Sequence, residues 1–381
     1  MAASICSSFN NDIVIDILAR LPVKTLLRFK SVSKPMLSVI TNPRFITYHL
    51  HQSTKNSSLV FHCSHDEFPV SMLYYTEPTT LRVVHIPPSM TDRSLKPRIR
   101  IKGSCGGLLF MEIYYGCCMF HYGLWNPATR QFKKVTGPQQ CINLLAEGFG
   151  YGSKINDYKL VRIGYFLHPR TLRTRYDRRR MDSVVRALVF SWKTESWRTV
   201  EDVALLGGRF SDAVALKSDL YWKVSGVENL ANEGVLAFDS DTDMFRRIEL
   251  PSLNQSIPSY SMTITGFKDS LGLFVFLESS SNSAFDLWVL NESRIGGDYI
   301  KSWSKLLTVG PMSRIGWPIL AWRGKIILKS PNDEKDGFFL YDPITREAID
   351  VPISSSGVYD NAETLASVDG TSNLLLEDAP L

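Results

Sequence analysis

At 381 residues the chain exceeds the usual size of one domain, so two unequal domains are expected. Its 44% hydrophobic and 11% aromatic content suffices for a packed core and excludes a disordered chain. With 43 basic against 38 acidic residues the net charge is only +5, too dilute for a dedicated nucleic-acid binder.

Residues 1–12 lack the basic start and apolar stretch of a secretory signal, and no uncharged apolar run reaches the roughly 18 residues of a membrane helix. Neither a membrane nor a nucleic acid is therefore expected as a partner. The six cysteines, all within the first 141 residues, are expected to be reduced thiols in a protein of the cytoplasm, the nucleus or both.

Four short helix patterns follow, cut by Pro22, Pro35 and Pro43. Asp12 reads as the cap of the first, whose Ile13, Val14, Ile17 and Leu18 fall at helical spacing. Leu21 ends it, because proline disfavours helical geometry in the residue before it. Pro22 suits the start of a second helix bearing Val23, Leu26, Leu27 and Phe29, with Lys24, Arg28 and Lys30 on its other side. A third follows Pro35 and carries Met36, Leu37, Val39 and Ile40; Asn42-Pro43 opens a fourth with Phe45, Ile46 and Leu50. Helices this short need burial against something else, which is either the rest of the chain or a second protein.

The stretch DIVIDILARLPVKTLLRFKSVSKPMLSVITNPRFITYHL resembles a plant-type F-box, with LPVKTLLRFKSVSK and NPRFITYHL as its most specific parts. The resemblance implies binding to the Skp adaptor of an SCF ubiquitin ligase. By position it assigns the adaptor face to Ile13, Ile17, Leu18, Leu21, Pro22, Val23, Leu26, Leu27 and Val32. Three departures stand out: Phe9-Asn10 in place of Leu-Pro, Ser31 in place of cysteine, and Pro35-Met36 in place of Ser-Trp. The last removes an aromatic and introduces a helix breaker, so weakened adaptor binding is an expectation.

Beyond about residue 58 the pattern becomes short β-branched and aromatic runs separated by turns. One hairpin recurs in LWNPATRQFKKV, VFSWKTESWRTV, AFDSDTDMFRRI and LYDPITREAIDV, with Thr129, Thr194, Thr242 and Thr345 in one slot. WVLNES and SWSKLL supply a further copy with a longer connection, and the wide gap between Thr129 and Thr194 implies an insertion. GGLLFM, SDLYWKV, DSLGLFVF and RGKIILK each place a turn before an apolar strand. A period of about 40–50 residues with four strands apiece is that of a β-propeller. About six four-stranded blades are expected, closed by a tail strand near Thr364–Val368 beside the first strands at Leu59–His85. The fold class is thus a small all-α F-box of three to four helices at 1–52 and an all-β propeller at 53–381.

GFGYGSKINDYKLVRI, SWSKLL and LYDPITREAIDVP resemble the F-box-associated, kelch-like domain of plant F-box proteins. Over nearly the whole chain the resemblance implies a non-catalytic substrate receptor. Its helices would reach cullin and RING subunits through the Skp adaptor, and its propeller would hold an unknown protein for ubiquitination. A ligase-independent protein-binding propeller with a degenerate F-box is the alternative.

Arg170, Arg173, Arg175, Arg178, Arg179 and Arg180 crowd into the implied insertion. Such a run reads either as a solvated loop, as a site for an acidic or phosphorylated segment, or as a nuclear-import patch. Cys117-Cys118 with His121, and His62-Cys63 with His65, lack paired zinc-ligand spacing and lie in strand-like runs, so no metal is expected. Gly103–Gly107 has no phosphate-loop lysine and reads as a turn, and no acid, nucleophile and arginine cluster assembles into a catalytic site. No cofactor is expected.

Overall fold

Proline-punctuated amphipathic segments become short helices, and the β-rich remainder becomes sheets, in the computed structural model of the chain. The structure describes residues 11–63, 71–75, 81–85, 98–115, 119–138, 143–166, 184–200, 208–226, 233–253, 260–277, 283–295, 298–312, 316–330, 337–351, 353, 355 and 357–369. Four helices come first: α1 (Asn11–Ala19), α2 (Val23–Phe29), α3 (Lys34–Ile40) and α4 (Pro43–Thr54). Since α1 already opens at Asn11, Asp12 lies in its first turn rather than capping it, where its charge still favours the unpaired amides. Ser33 caps α3, its Oγ accepting from the Met36 N–H at 3.3 Å, and Pro35 falls in that first turn, where no amide hydrogen is needed. The helix-breaking role expected of Pro35 is therefore corrected: α3 forms through it. Asn42 caps α4 similarly, accepting from the Arg44 N–H at 2.9 Å ahead of Pro43.

Among the described residues, 25 strands then form six antiparallel sheets, the blades of a propeller. Blade one holds β1 (Ser58–Cys63), β2 (Ser71–Tyr75) and β3 (Leu81–His85). Blade two is β4 (Arg98–Cys105), β5 (Leu108–Tyr115), β6 (Met119–Asn126) and β7 (Gln131–Thr136). Blade three is β8 (Asn143–Gly152), β9 (Asp157–Phe166), β10 (Val184–Ser191) and β11 (Ser196–Val200). Blade four has five strands, because β12 (Gly208–Phe210) and β13 (Val214–Leu216) both pair with β14 (Asp219–Gly226), followed by β15 (Gly234–Asp239) and β16 (Met244–Ile248). Blade five is β17 (Tyr260–Phe267), β18 (Ser270–Leu277), β19 (Ser283–Ile295) and β20 (Asp298–Met312). Blade six is β21 (Trp317–Trp322), β22 (Lys325–Lys329), β23 (Phe338–Tyr341) and β24 (Ala348–Val351).

The ring closes through β25 (Gly357–Asn361), which pairs with β1 in the register Val60↔Tyr359 and supplies the axial strand of blade one. This corrects the expected closure at Thr364–Val368, which lies just beyond that strand and does another job. The copy expected to have a longer connection is likewise corrected: β19 and β20 stay paired from Leu290↔Trp303 to Ile295↔Asp298, so the hairpin simply lengthens.

Large side chains fill the seams between blades, for instance Phe110 stacked on Phe149 with centroids 5.6 Å apart, and Phe61 against Phe338 at 5.4 Å. The recurrent hairpin joins the third and fourth strands. In each copy the residue after the threonine, Arg130, Glu195, Asp243 or Arg346, has φ between 50° and 63°. A polar residue at the end of the third strand pins the turn. Asn126 Oδ1 accepts from the amides of Ala128 (3.0 Å) and Thr129 (3.2 Å), and Asp342 Oδ1 from those of Ile344 (2.9 Å) and Thr345 (3.3 Å).

The strand-one-to-two and strand-three-to-four turns share the side that carries the helices. Arg323, in the β21–β22 turn, donates to Asn56 Oδ1 at 3.1 Å, and Trp322 Nε1–H to Ser57 Oγ at 3.2 Å. In the β4–β5 turn Gly107 has φ of +78°, and a Cβ there would sit 2.4 Å from the Ala362 carbonyl oxygen. Both the backbone region and the space demand glycine. Gly107→Ala is expected to cost about 1–3 kcal/mol, read as a lowered denaturation midpoint; an unchanged midpoint would refute the close approach.

Candidate functional site

The helical segment presents two apolar faces, and only one is covered. Leu18 and Ala19 of α1, Val23 and Leu26 of α2, Ile40 of α3, and Phe45 and Ile46 of α4 form one buried cluster with Leu108, Phe110, Tyr122, Phe149 and Trp192 of blades two and three. The helices are thus seated on the propeller rather than standing apart from it. Polar contacts fix the seat. Tyr48 OH donates to Asp16 Oδ1 at 2.8 Å and Arg20 to Asp16 Oδ2 at 2.8 Å, holding that carboxyl below its usual range and tying α4 to α1. His49 Nε2–H donates to the Leu21 carbonyl at 2.9 Å, and burial keeps its imidazole below the ordinary histidine value.

Between helices and blades runs a C-terminal strap, Ala362–Val368, which has no strand pairing of its own. Asn126 Nδ2–H donates to the carbonyls of Thr364 (3.0 Å) and Ala366 (2.7 Å), and Trp192 Nε1–H to that of Val368 (2.9 Å). Leu365, Ala366 and Val368 join the shared core, while Glu363 Oε2 accepts the Val23 N–H at 3.0 Å at the start of α2. Sequence reasoning picked out Thr364–Val368 as a closing strand and missed its role as a strap beneath the helices.

The nine residues assigned by resemblance divide accordingly. Ile13 (52% exposed), Ile17 (56%) and Val32 (70%) lie open, as does Pro22. Leu21 and Leu27 are partly buried against the shared core. Leu18, Val23 and Leu26 are closed within it, at 3%, 0% and 0% exposure, so in this conformation they offer nothing to a second chain. Leu37, at 43% exposure, joins the open set although sequence reasoning placed it only within a helix. Ser31 Oγ–H donates to the Arg28 carbonyl at 2.7 Å at the end of α2, and Met36 packs partly onto the core; Phe9 and Asn10 lie outside the described residues.

The six arginines from Arg170 to Arg180 also lie outside the described residues. The strands that flank them, β9 and β10, pair there at Val184↔Phe166, the end of blade three away from the helices. Cys117, Cys118 and His65 are outside the described residues, and among the described residues no group of three or more His, Cys, Asp or Glu is arranged around a metal position.

One titratable cluster was not visible beforehand. Glu147 of β8 and Glu112 of β5 are buried in the seam between blades three and two, near enough for the charge of one to act on the other. Glu147 Oε1 also accepts from Tyr122 OH at 2.5 Å and Arg162 Nε–H at 2.8 Å, and Tyr114 OH donates to Glu112 Oε2 at 2.7 Å. Burial, reinforced by the nearby Glu112 charge, pushes Glu147 up to about 7. At 6% and 3% exposure the pair faces neighbouring side chains rather than a surface, so its role is structural.

Comparison with known proteins agrees with this division of the chain. The F-box domain profile matches residues 6–48, and that of the F-box associated beta propeller domain matches residues 70–339. An F-box/kelch-repeat protein of Arabidopsis thaliana is 22% identical over 90% of this chain and 89% of its own length. A probable F-box protein of the same plant is 24% identical over 80% of this chain and 69% of its own length. The Arabidopsis F-box protein CPR1 is 26% identical over 78% and 72%.

Proposed function

Because the chain belongs to the F-box proteins that carry an F-box associated β-propeller domain, we propose that it is the substrate-recognition subunit of an SCF-type ubiquitin ligase. The observation that carries this reading is the uncovered apolar face of the helices: Ile13 and Ile17 one turn apart on α1, with Val32 and Leu37 at the start of α3. Four large aliphatic side chains left in water beside a well-filled core suit docking to another protein. On this reading Ile13, Ile17, Pro22, Val32 and Leu37 meet the Skp adaptor, with Leu21 and Leu27 at the margin. Leu18, Val23 and Leu26 hold the docking helices in place from behind. Cullin and RING subunits follow through the adaptor.

The protein to be ubiquitinated would engage the propeller on the side away from the helices, where the connections are longer and more varied in sequence than the tight helix-side turns. No bond is made or broken by this chain. Its contribution is proximity, holding substrate lysines near a ubiquitin thioester carried by a partner enzyme and so raising their effective concentration. The ligase-independent alternative loses the support of Pro35-Met36, since α3 accommodates both residues.

The test is co-purification with a Skp adaptor. Ile13→Asp/Ile17→Asp is expected to abolish it while leaving the thermal midpoint within a degree or two of the parent, because both sites are already in water. Retention of the adaptor by that variant would refute the assigned face.

A further inference from the structure

The same helices carry a clear excess of positive charge, as does the Arg170–Arg180 run elsewhere in the sequence. Residues 11–56 contain seven basic residues, from Arg20 to Lys55, against Asp12 and Asp16 alone, a net of +5. The whole chain also nets +5, so the remainder, propeller and tail together, balances to zero. Of the two acids, Asp16 is already engaged by Arg20 and Tyr48. Lys24, Arg28 and Lys34 are exposed, and among the described residues none of them forms an ion pair. Lys24 and Arg28 lie one turn apart on α2, away from the buried Val23 and Leu26; Lys34 stands between the open Val32 and Leu37. Cations therefore interleave with the uncovered apolar side chains.

Cations grouped on one module set up a local field over its surface, and such fields act on encounter more than on the final contact. We propose that the surface docking onto these helices is acidic, a protein face whose carboxylates ring an apolar groove. Lys24, Arg28 and Lys34 steer the approach, and Ile13, Ile17, Val32 and Leu37 hold the complex. The inference rests on the reading of the helices as the Skp adaptor's dock and specifies the chemistry of that partner. Steering decays over a Debye length of about 10 Å at 0.1 M salt, so the rate of association carries the signature.

The experiment measures association and dissociation rates of the full chain with a purified Skp adaptor between about 0.05 and 0.5 M salt. For the parent, the association rate is expected to fall at least about tenfold across that range while the dissociation rate changes far less. Lys24→Glu/Arg28→Glu/Lys34→Glu is expected to slow association by about tenfold or more at low salt and to flatten its salt dependence. The milder Lys24→Gln/Arg28→Gln/Lys34→Gln gives an intermediate slope and covers the case in which charge reversal disturbs folding. Association indifferent to salt and to both variants overturns the proposal while leaving adaptor docking intact. A parent that binds the adaptor at no salt concentration overturns the docking reading itself. If vesicles rich in phosphatidylserine bind the parent but not the triple variants, and adaptor association is unchanged in all three, the cationic surface belongs to a membrane and the proposal fails.

Discussion

Asn126→Ala is expected to lower the unfolding free energy by about 3–5 kcal/mol, the largest effect of any single polar substitution foreseen for this chain. Asn126 is fully buried and makes four hydrogen bonds with one amide group. Its carbonyl oxygen shapes the β6–β7 turn, and its nitrogen holds the Thr364 and Ala366 carbonyls of the strap. Alanine leaves two carbonyls and two amides without partners, each at roughly 1 kcal/mol or more where water does not enter. Because the strap also anchors α2 through Glu363, the loss should spread to the helices. Hydrogen exchange is therefore expected to accelerate at the Val23 amide as well as in the strap. Asn126→Asp keeps the turn but sets a carboxylate against two carbonyl oxygens, so it should be no less damaging. A denaturation midpoint close to the parent's for Asn126→Ala would refute this account of the strap.

The second large effect is a pH dependence. An ordinary glutamate titrates near 4.5, whereas burial and Glu112 push folded Glu147 up to about 7. The folded chain thus keeps a proton that the unfolded chain has released, and this group's contribution to stability falls as pH rises between those values. It is fully present below pH 4.5 and lost above about 7. At roughly 1.4 kcal/mol per unit, the swing is on the order of 3–4 kcal/mol. The groups facing Glu147 set the sign. Arg162 and the Tyr122 hydroxyl favour ionisation; Glu112 opposes it, and Tyr122 and Tyr114 stay protonated, pushed upward by burial and by the same carboxylates. Glu147→Gln keeps an acceptor for Tyr122 and Arg162 and a permanent donor toward Glu112. It is expected to be more stable than the parent at pH 8 and to flatten the stability profile between pH 5 and 8 in urea titrations. Parallel profiles for the two proteins would refute the raised titration of Glu147.

The repeating body was readable because four of the six blades reuse one local device. A short polar residue at the end of the third strand, then a threonine, then a residue at positive φ recur with enough regularity to count blades. The Arg170–Arg180 segment was readable only as an interruption of that count. The docking face was half readable. In α1 the run Ile13, Val14, Ile15, Ile17, Leu18 is apolar nearly all round, so periodicity places both faces in a core and cannot say which one the chain covers itself. That choice depends on Leu108, Phe110 and Trp192, residues about a hundred or more positions away in sequence. Thr364–Val368 was legible as a closing segment but not as a strap beneath the helices, and the Glu112–Glu147 pair was not legible at all. Each is defined by what lies across a gap in sequence, and nothing local in either segment announces a partner.

The seat of the helices is finished late. Ribosomes deliver α1 through α4 first, yet β25 and the strap that lies beneath those helices arrive some three hundred residues later. A polypeptide cut short just before Gly357 has helices without the strap in their seat and a first blade without its axial strand. Premature termination should thus weaken the helical module and the closure of the propeller at once.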